Sequence, residues 1–188
     1  MATNVFDKVR QEVGGQERSV QWYQAQVKRL GTINTNQLIR EGVLVNQVLP
    51  GFMYMFAYDP KLKDTLPFYD RFPLVLPFRK VPGGFYGINL HYLPYLLRVR
   101  MLRFLNDFAS DKNMNEKTRL RMNWNLLQSS TRLKPVQACV KHYLQEHVLT
   151  RFMKIPYNDW VIASQLPVER FVGEKKDVVW RQTRKKFA

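Results

Sequence analysis

Three aspartates, Asp59, Asp64 and Asp70, fall within twelve residues, with Lys61 and Lys63 between the first and the last. Clustered carboxylates beside a lysine are what a metal-dependent nuclease needs, to hold Mg²⁺ and to balance charge on the phosphate. The same residues fit a plainer reading. Aspartates that flank a turn bond their own backbone, and Asp70 next to Arg71 makes a local ion pair; this reading is preferred. The histidines are His91, His142 and His147. His142 and His147 are five apart, so on a helix they point to different faces and cannot chelate a metal together. His147 lies on an apolar stripe and reads as a satisfied core histidine. Neither a GxxxxGK[ST] phosphate loop nor a GxSxG elbow occurs. Glu174 and Lys176 stand in an ExK spacing, but in a tail too mobile to preorganise chemistry. No catalytic residue, metal ligand or cofactor is assigned, and the chain is expected not to be an enzyme.

Charge is the stronger signal. Thirty Lys and Arg oppose fifteen Asp and Glu among 188 residues, a net charge of +15. The excess is concentrated late: residues 94–150 carry ten basic and four acidic side chains, and 151–188 carry nine and four. Such a field draws polyanions and speeds their encounter. An acidic protein neighbour in an assembly would satisfy it equally well, and composition alone leaves both open. The candidate polyanion-binding residues form three groups. Arg98, Arg100 and Arg103 lie outside the apolar stripe of one predicted helix, and Arg119 and Arg121 outside that of the next. Lys175, Lys176, Arg181, Arg184, Lys185 and Lys186 put six positive charges into twelve positions, which repel one another without a counter-charge. The aromatic set Tyr54, Tyr58, Phe68, Tyr69, Phe85, Tyr86 and Tyr92 suits either core packing or base stacking. Core is the preferred reading, with exceptions most expected near Lys61, Lys63, Arg71 and Arg79.

The elements that must position these groups follow from periodicity. Residues 4–13 place Val5, Phe6, Val9 and Val13 on one helical face before Gly14-Gly15 breaks it. A helix this short needs a surface, and Phe6 and Val9 are candidate anchors on a partner. Helices are also predicted over 17–30 and from Thr35 to Gly42. From Gly51 the period becomes two. Tyr54, Phe56 and Tyr58 alternate with Met53, Met55 and Ala57, so both faces of that strand should be covered. A second strand around Phe72–Phe78 holds Pro73 and Pro77 and so belongs at an edge or carries a bulge. VPGG turns into a third strand, FYGINL, where Gly87 signals a bulge or a close backbone approach. From Leu93 the helical period returns, with Leu97, Met101, Phe104, Leu105 and Phe108 as a stripe. Helices are predicted near 115–130 and 135–148, a strand at RFMKI, and a turn or short helix at PYNDWVIASQ. The fold class is α+β: a small antiparallel sheet or SH3-like barrel over about 50–90, packed with a helical bundle over about 94–148. The predicted division is an N-terminal helical arm (1–49), one α+β domain (50–172) and a basic tail (173–188). That tail is expected to be mobile alone, to order on a partner through Trp180, and to be removable from 174 onward without harm to the fold.

No stretch approaches the ~20 apolar residues of a membrane span, so no membrane partner is expected. Cys139 is the only cysteine, which excludes an internal disulfide and suits assembly in a reducing cytoplasm. The run MFAYDPKLKDTLPFYDRFPLVLPF, followed by GGFYGINLHYLPYLLR, resembles virion proteins of T-even-like contractile-tailed bacteriophages. It is most similar to their DNA end protector or head-completion proteins. VKHYLQEHV and LPVERFV with the basic VVWR tail are similar to the same group, so the resemblance spans roughly 50–181. It implies a virion protein assembled in the host cytoplasm, present in few copies near the portal, neck or tail. Its partners would be double-stranded DNA ends and neighbouring virion proteins. The alternative is a purely structural neck or baseplate component that clamps its neighbours.

Overall fold

Three short helices open the chain, each started by a side chain that caps free backbone amides. Asn4 accepts from the Asp7 amide to begin α1 (Val5–Val13), Ser19 from Trp22 for α2 (Val20–Arg29), and Asn34 from Gln37 for α3 (Thr35–Glu41). The computed structural model describes residues 4–14, 18–107, 125 and 134–185. Phe6 and Val9 of α1 are buried in the main core together with Tyr23, Val27, Leu38 and Ile39. They are therefore core residues and not partner anchors: their helix found its surface within the chain. Arg10 adds a 2.7 Å ion pair to the buried Asp159.

Six strands form one antiparallel sheet: β1 (Val43–Val45), β2 (Met53–Met55), β4 (Leu74–Val81), β5 (Gly84–Asn89), β6 (Val140–Leu144) and β7 (Phe152–Ile155). Their order is β1-β7-β2-β4-β5-β6, while β3 (Tyr69–Asp70) pairs with β8 (Phe171–Val172) in a separate ribbon. The fold is α+β as expected, but the sheet stays open among the described residues and makes no SH3-like barrel. β2 is covered on both sides, as its alternation requires. Met53, Met55 and Ala57 enter the core beneath the helices, and Tyr54, Phe56 and Tyr58 enter a second, aromatic core on the opposite face. There Phe56 meets Tyr58, Phe85, Tyr143 and Phe152 edge to face.

β4 is central, and a bulge follows its one proline, Pro77. Pro77 faces Gly87 and Arg79 faces Tyr86, which leaves Phe78 as the extra residue. The β4–β5 hairpin turns on Pro82 and Gly83, whose φ of +74° is the left-handed value that a type II turn demands. A Cβ on Gly87 would sit 2.2 Å from Val75 Cγ1, so this is the close approach foreseen for it.

The three helices predicted after β5 fare differently. α4 (Tyr95–Asp107) forms where expected. The predicted helix over 115–130 lies, except for Asn125, outside the described residues. The helix predicted over 135–148 is a correction: one turn, α5 (Lys134–Gln137), is followed by strand β6 and a 3-10 turn, Gln145–His147. VKHYL fits both periods, and pairing along β5 from Gly84 to Ile88 decides for the strand. The helical bundle therefore does not extend through 140–148. His147 is half-buried, its Nδ1 3.0 Å from the Asp59 carbonyl oxygen. The chain ends with β7, α6 (Trp160–Gln165), β8 and α7 (Lys176–Lys185). Among the described residues no helix is long and apolar enough to cross a membrane.

Candidate nucleic-acid interface

The tail expected to be mobile is helix α7, docked on the domain. Its charges are distributed so that it can fold without a polyanion. Asp177 stands in the first turn, and Arg184 and Lys185 in the last, each favourable to the helix dipole. Val179, Trp180 and Thr183 recur at helical spacing and are buried. Trp180 Nε1 donates to the His91 carbonyl at 2.8 Å, and its ring meets Tyr95 edge-on at 5.3 Å. Trp180 thus holds the helix to its own domain, where the sequence had suggested a partner. Removing residues 174–188 would strip Val179 and Trp180 from the core, which corrects the expectation that the fold would survive unharmed.

A buried charge network fixes this helix. Arg98 is fully buried, a correction to the basic set. The inner face of α4 is Tyr95, Arg98, Val99 and Leu102, rotated from the predicted stripe, and Leu97 and Met101 are only half-buried. Arg98 Nε donates to the Leu93 carbonyl at 2.7 Å and Nη1 to the Ser164 carbonyl at 3.1 Å. Its guanidinium lies 3.6 Å from Glu169 Oε2. On the other carboxylate oxygen, Glu169 accepts from Tyr95 Oη at 2.8 Å and from Lys176 Nζ at 2.9 Å. Burial alone would push the Glu169 carboxyl up, but Arg98, then His91 and Lys176, hold it down at about 2. Burial likewise pulls the Arg98 guanidinium below the ordinary arginine range. Sequence reasoning missed Glu169 entirely; a lone acid in an extended segment before a basic tail was the signal available.

The remaining basic candidates lie outside this clamp. Arg100 and Arg103 are exposed with Leu96 on the outer face of α4, and Arg181, Arg184 and Lys185 on the outer face of α7. Lys175 is exposed; Lys176 is half-buried and committed to Glu169. Arg119, Arg121 and Lys186 lie outside the described residues. α7 meets α4 through Tyr95 and through Arg98, whose guanidinium sits 4.5 Å from the Tyr95 ring and 5.5 Å from that of Trp180. A further basic pair was not foreseen: Arg71 and Arg170, both exposed, are neighbours on the β3–β8 ribbon, joined by a 2.8 Å backbone hydrogen bond.

The aspartates do not converge. Asp59 pairs with Lys63 at the surface, at 2.9 Å. Asp70 is buried, accepting from the Phe72 amide and Asn89 Nδ2 and lying 2.8 Å from His91 Nδ1, so it serves the interior instead of pairing with Arg71. Among the described residues no group of His, Cys, Asp and Glu is arranged to hold a metal. Of the aromatic set, Tyr54, Tyr58, Phe85 and Tyr92 are core, and Phe68, Tyr69 and Tyr86 are half-buried.

The geometry defines a basic α+β protein whose most conspicuous device is a set of positively charged helix faces held rigid from within. A family model described as Phage T4 terminal DNA protecting protein matches residues 3–186, and the chain belongs to that family. The match takes in the N-terminal helices that the sequence resemblance had left out. No curated protein and no solved structure matches the chain.

Proposed function

We propose that this protein occupies the ends of packaged duplex DNA and shields them, acting as a non-enzymatic component of the virion. The carrying observation is the family match over nearly the whole chain. The outward row of Arg181, Arg184 and Lys185 supplies phosphate contacts that need no particular sequence. Shielding an end requires occupancy and rigidity, and the Glu169 clamp provides rigidity by holding α7 against α4. We place the protein near the portal, neck or tail, in contact with neighbouring virion proteins as well as with DNA. A head-completion role belongs to the same proposal.

The test compares blunt and staggered linear duplexes with closed circles of the same sequence across a salt series. Linear DNA should bind more tightly than circles, and affinity should fall steeply with salt. The triple variant Arg181→Ala, Arg184→Ala, Lys185→Ala should reduce the log–log salt slope by up to about 3, since each lost phosphate contact removes about 0.9. Binding that ignores both salt and ends would reject the proposal in favour of a clamp between virion subunits.

A further inference from the structure

A basic helix face explains affinity for DNA but not preference for its ends, because phosphates look alike along the duplex. What only an end presents is the flat face of an unpaired or terminal base. Resting on the end-binding reading, we propose that Arg79, Tyr86 and His142 form a stacking ladder that receives such a base.

The three residues are cross-strand neighbours. Arg79 of β4 is opposite Tyr86 of β5, and Tyr86 is opposite His142 of β6. The Tyr86 and His142 rings stack with centroids 4.6 Å apart and planes 16° from parallel. The Arg79 guanidinium lies 5.4 Å from the Tyr86 ring, and Phe78 supports that ring from 6.4 Å. The bulge creates the ladder: if the Leu76–Pro77 register continued unbroken, Phe78 would oppose Tyr86, and Arg79 would oppose Phe85 and face the other side of the sheet. The helical core covers this face around Leu76 and Ile88 but leaves Arg79 and His142 exposed at the hairpin end. β6 is the last strand in the sheet order, so among the described residues no further strand stacks on the His142 ring. A planar aromatic group continues such a stack. Arg79 and the neighbouring exposed Lys80 make the site positive, which favours a base carried on a phosphate backbone over an aromatic protein side chain.

The test uses duplexes with a short overhang whose terminal base is 2-aminopurine, read by fluorescence. The full-length protein should quench the probe at the terminus and not at an internal position. His142→Ala alters an exposed side chain on an edge strand, so its circular dichroism melt should match the parent. It should abolish the terminal quenching and weaken overhang binding by roughly 5- to 100-fold, the range for loss of one base stack. Affinity for closed circles should not move. His142→Trp should restore the signal, and Tyr86→Leu, which keeps the packing volume, should lose it. A His142→Ala protein that still quenches and still prefers ends overturns the ladder while leaving end binding standing. A parent protein with no affinity for DNA overturns both.

Discussion

Glutamine at position 169 keeps the shape of the side chain and removes the charge that Arg98 and Lys176 share. The Glu169 carboxyl titrates at about 2 in the fold, against an ordinary 4.5. Its side chain is 1% exposed, so solvent screening takes little from the interaction. Each pH unit of that gap is about 1.4 kcal/mol, so the ionised carboxylate stabilises the fold by about 3 kcal/mol. Because the folded value lies below the unfolded one, this contribution is complete above about pH 4.5 and is lost as the pH falls toward 2. At neutral pH, Glu169→Gln should lose about 3–5 kcal/mol, since Arg98 is left buried without its counter-charge. With a urea slope near 2 kcal/mol/M, the midpoint should fall by roughly 1.5–2.5 M. Urea melts of both proteins from pH 7 to 2.5 isolate the group, because every other carboxylate contributes equally to both curves. The parent and variant should converge by about 3 kcal/mol as the pH drops through this window. Parallel curves would refute the assignment. So would a variant whose α7 resists trypsin, at its own Arg181 and Arg184, as well as the parent does.

Three other substitutions probe the frame around the interface. Gly87→Ala forces a methyl group into Val75 and should cost about 1–3 kcal/mol by urea melt; an unchanged midpoint would mean the strands there are not in close contact. Asp59→Ala removes only an exposed pair with Lys63 and should change stability by less than about 0.5 kcal/mol. Asp70→Ala strands buried donors and should cost at least 2 kcal/mol or so. Loss of a DNA-nicking activity in the Asp59→Ala protein would revive the nuclease reading.

Much of the fold was legible where local chemistry and burial agreed. The glycine stops, the two-faced strand at 53–58, the Pro-Gly hairpin and the strand at 152–155 all follow from residues within a turn or two of each other. The failures share one cause, which is that the deciding partner is distant in sequence. VKHYL became a strand because β5 lacked a neighbour on one side, a fact stored fifty residues earlier. Arg98 resembled Arg100 and Arg103 because a helical stripe drawn from apolar residues alone cannot show a buried guanidinium. Its counter-charge, Glu169, lies 71 positions on. The tail was read as mobile because its positive charges were counted without regard to where along a helix they fall. The ladder was half visible: Tyr86 stood in the aromatic set and Arg79 among the cations near which exceptions were expected, but His142 was assigned to a helix, and only the strand register joins the three.

The choice of an ion pair to hold α7 has its own logic. Val179 and Trp180 already supply apolar burial, and a buried ion pair adds little net stability over apolar residues of the same shape. What it adds is rotational register. One residue of slip turns a helix by about 100°. Such a slip would swing Arg181 or Arg184 into the place of Trp180 or Thr183 and would carry Lys176 away from Glu169. Apolar contacts tolerate that rotation far better than charges do. Lys176 in the first turn therefore decides which face of α7 looks outward. The row of Arg181, Arg184 and Lys185 is a surface property dictated by a carboxylate that never meets solvent.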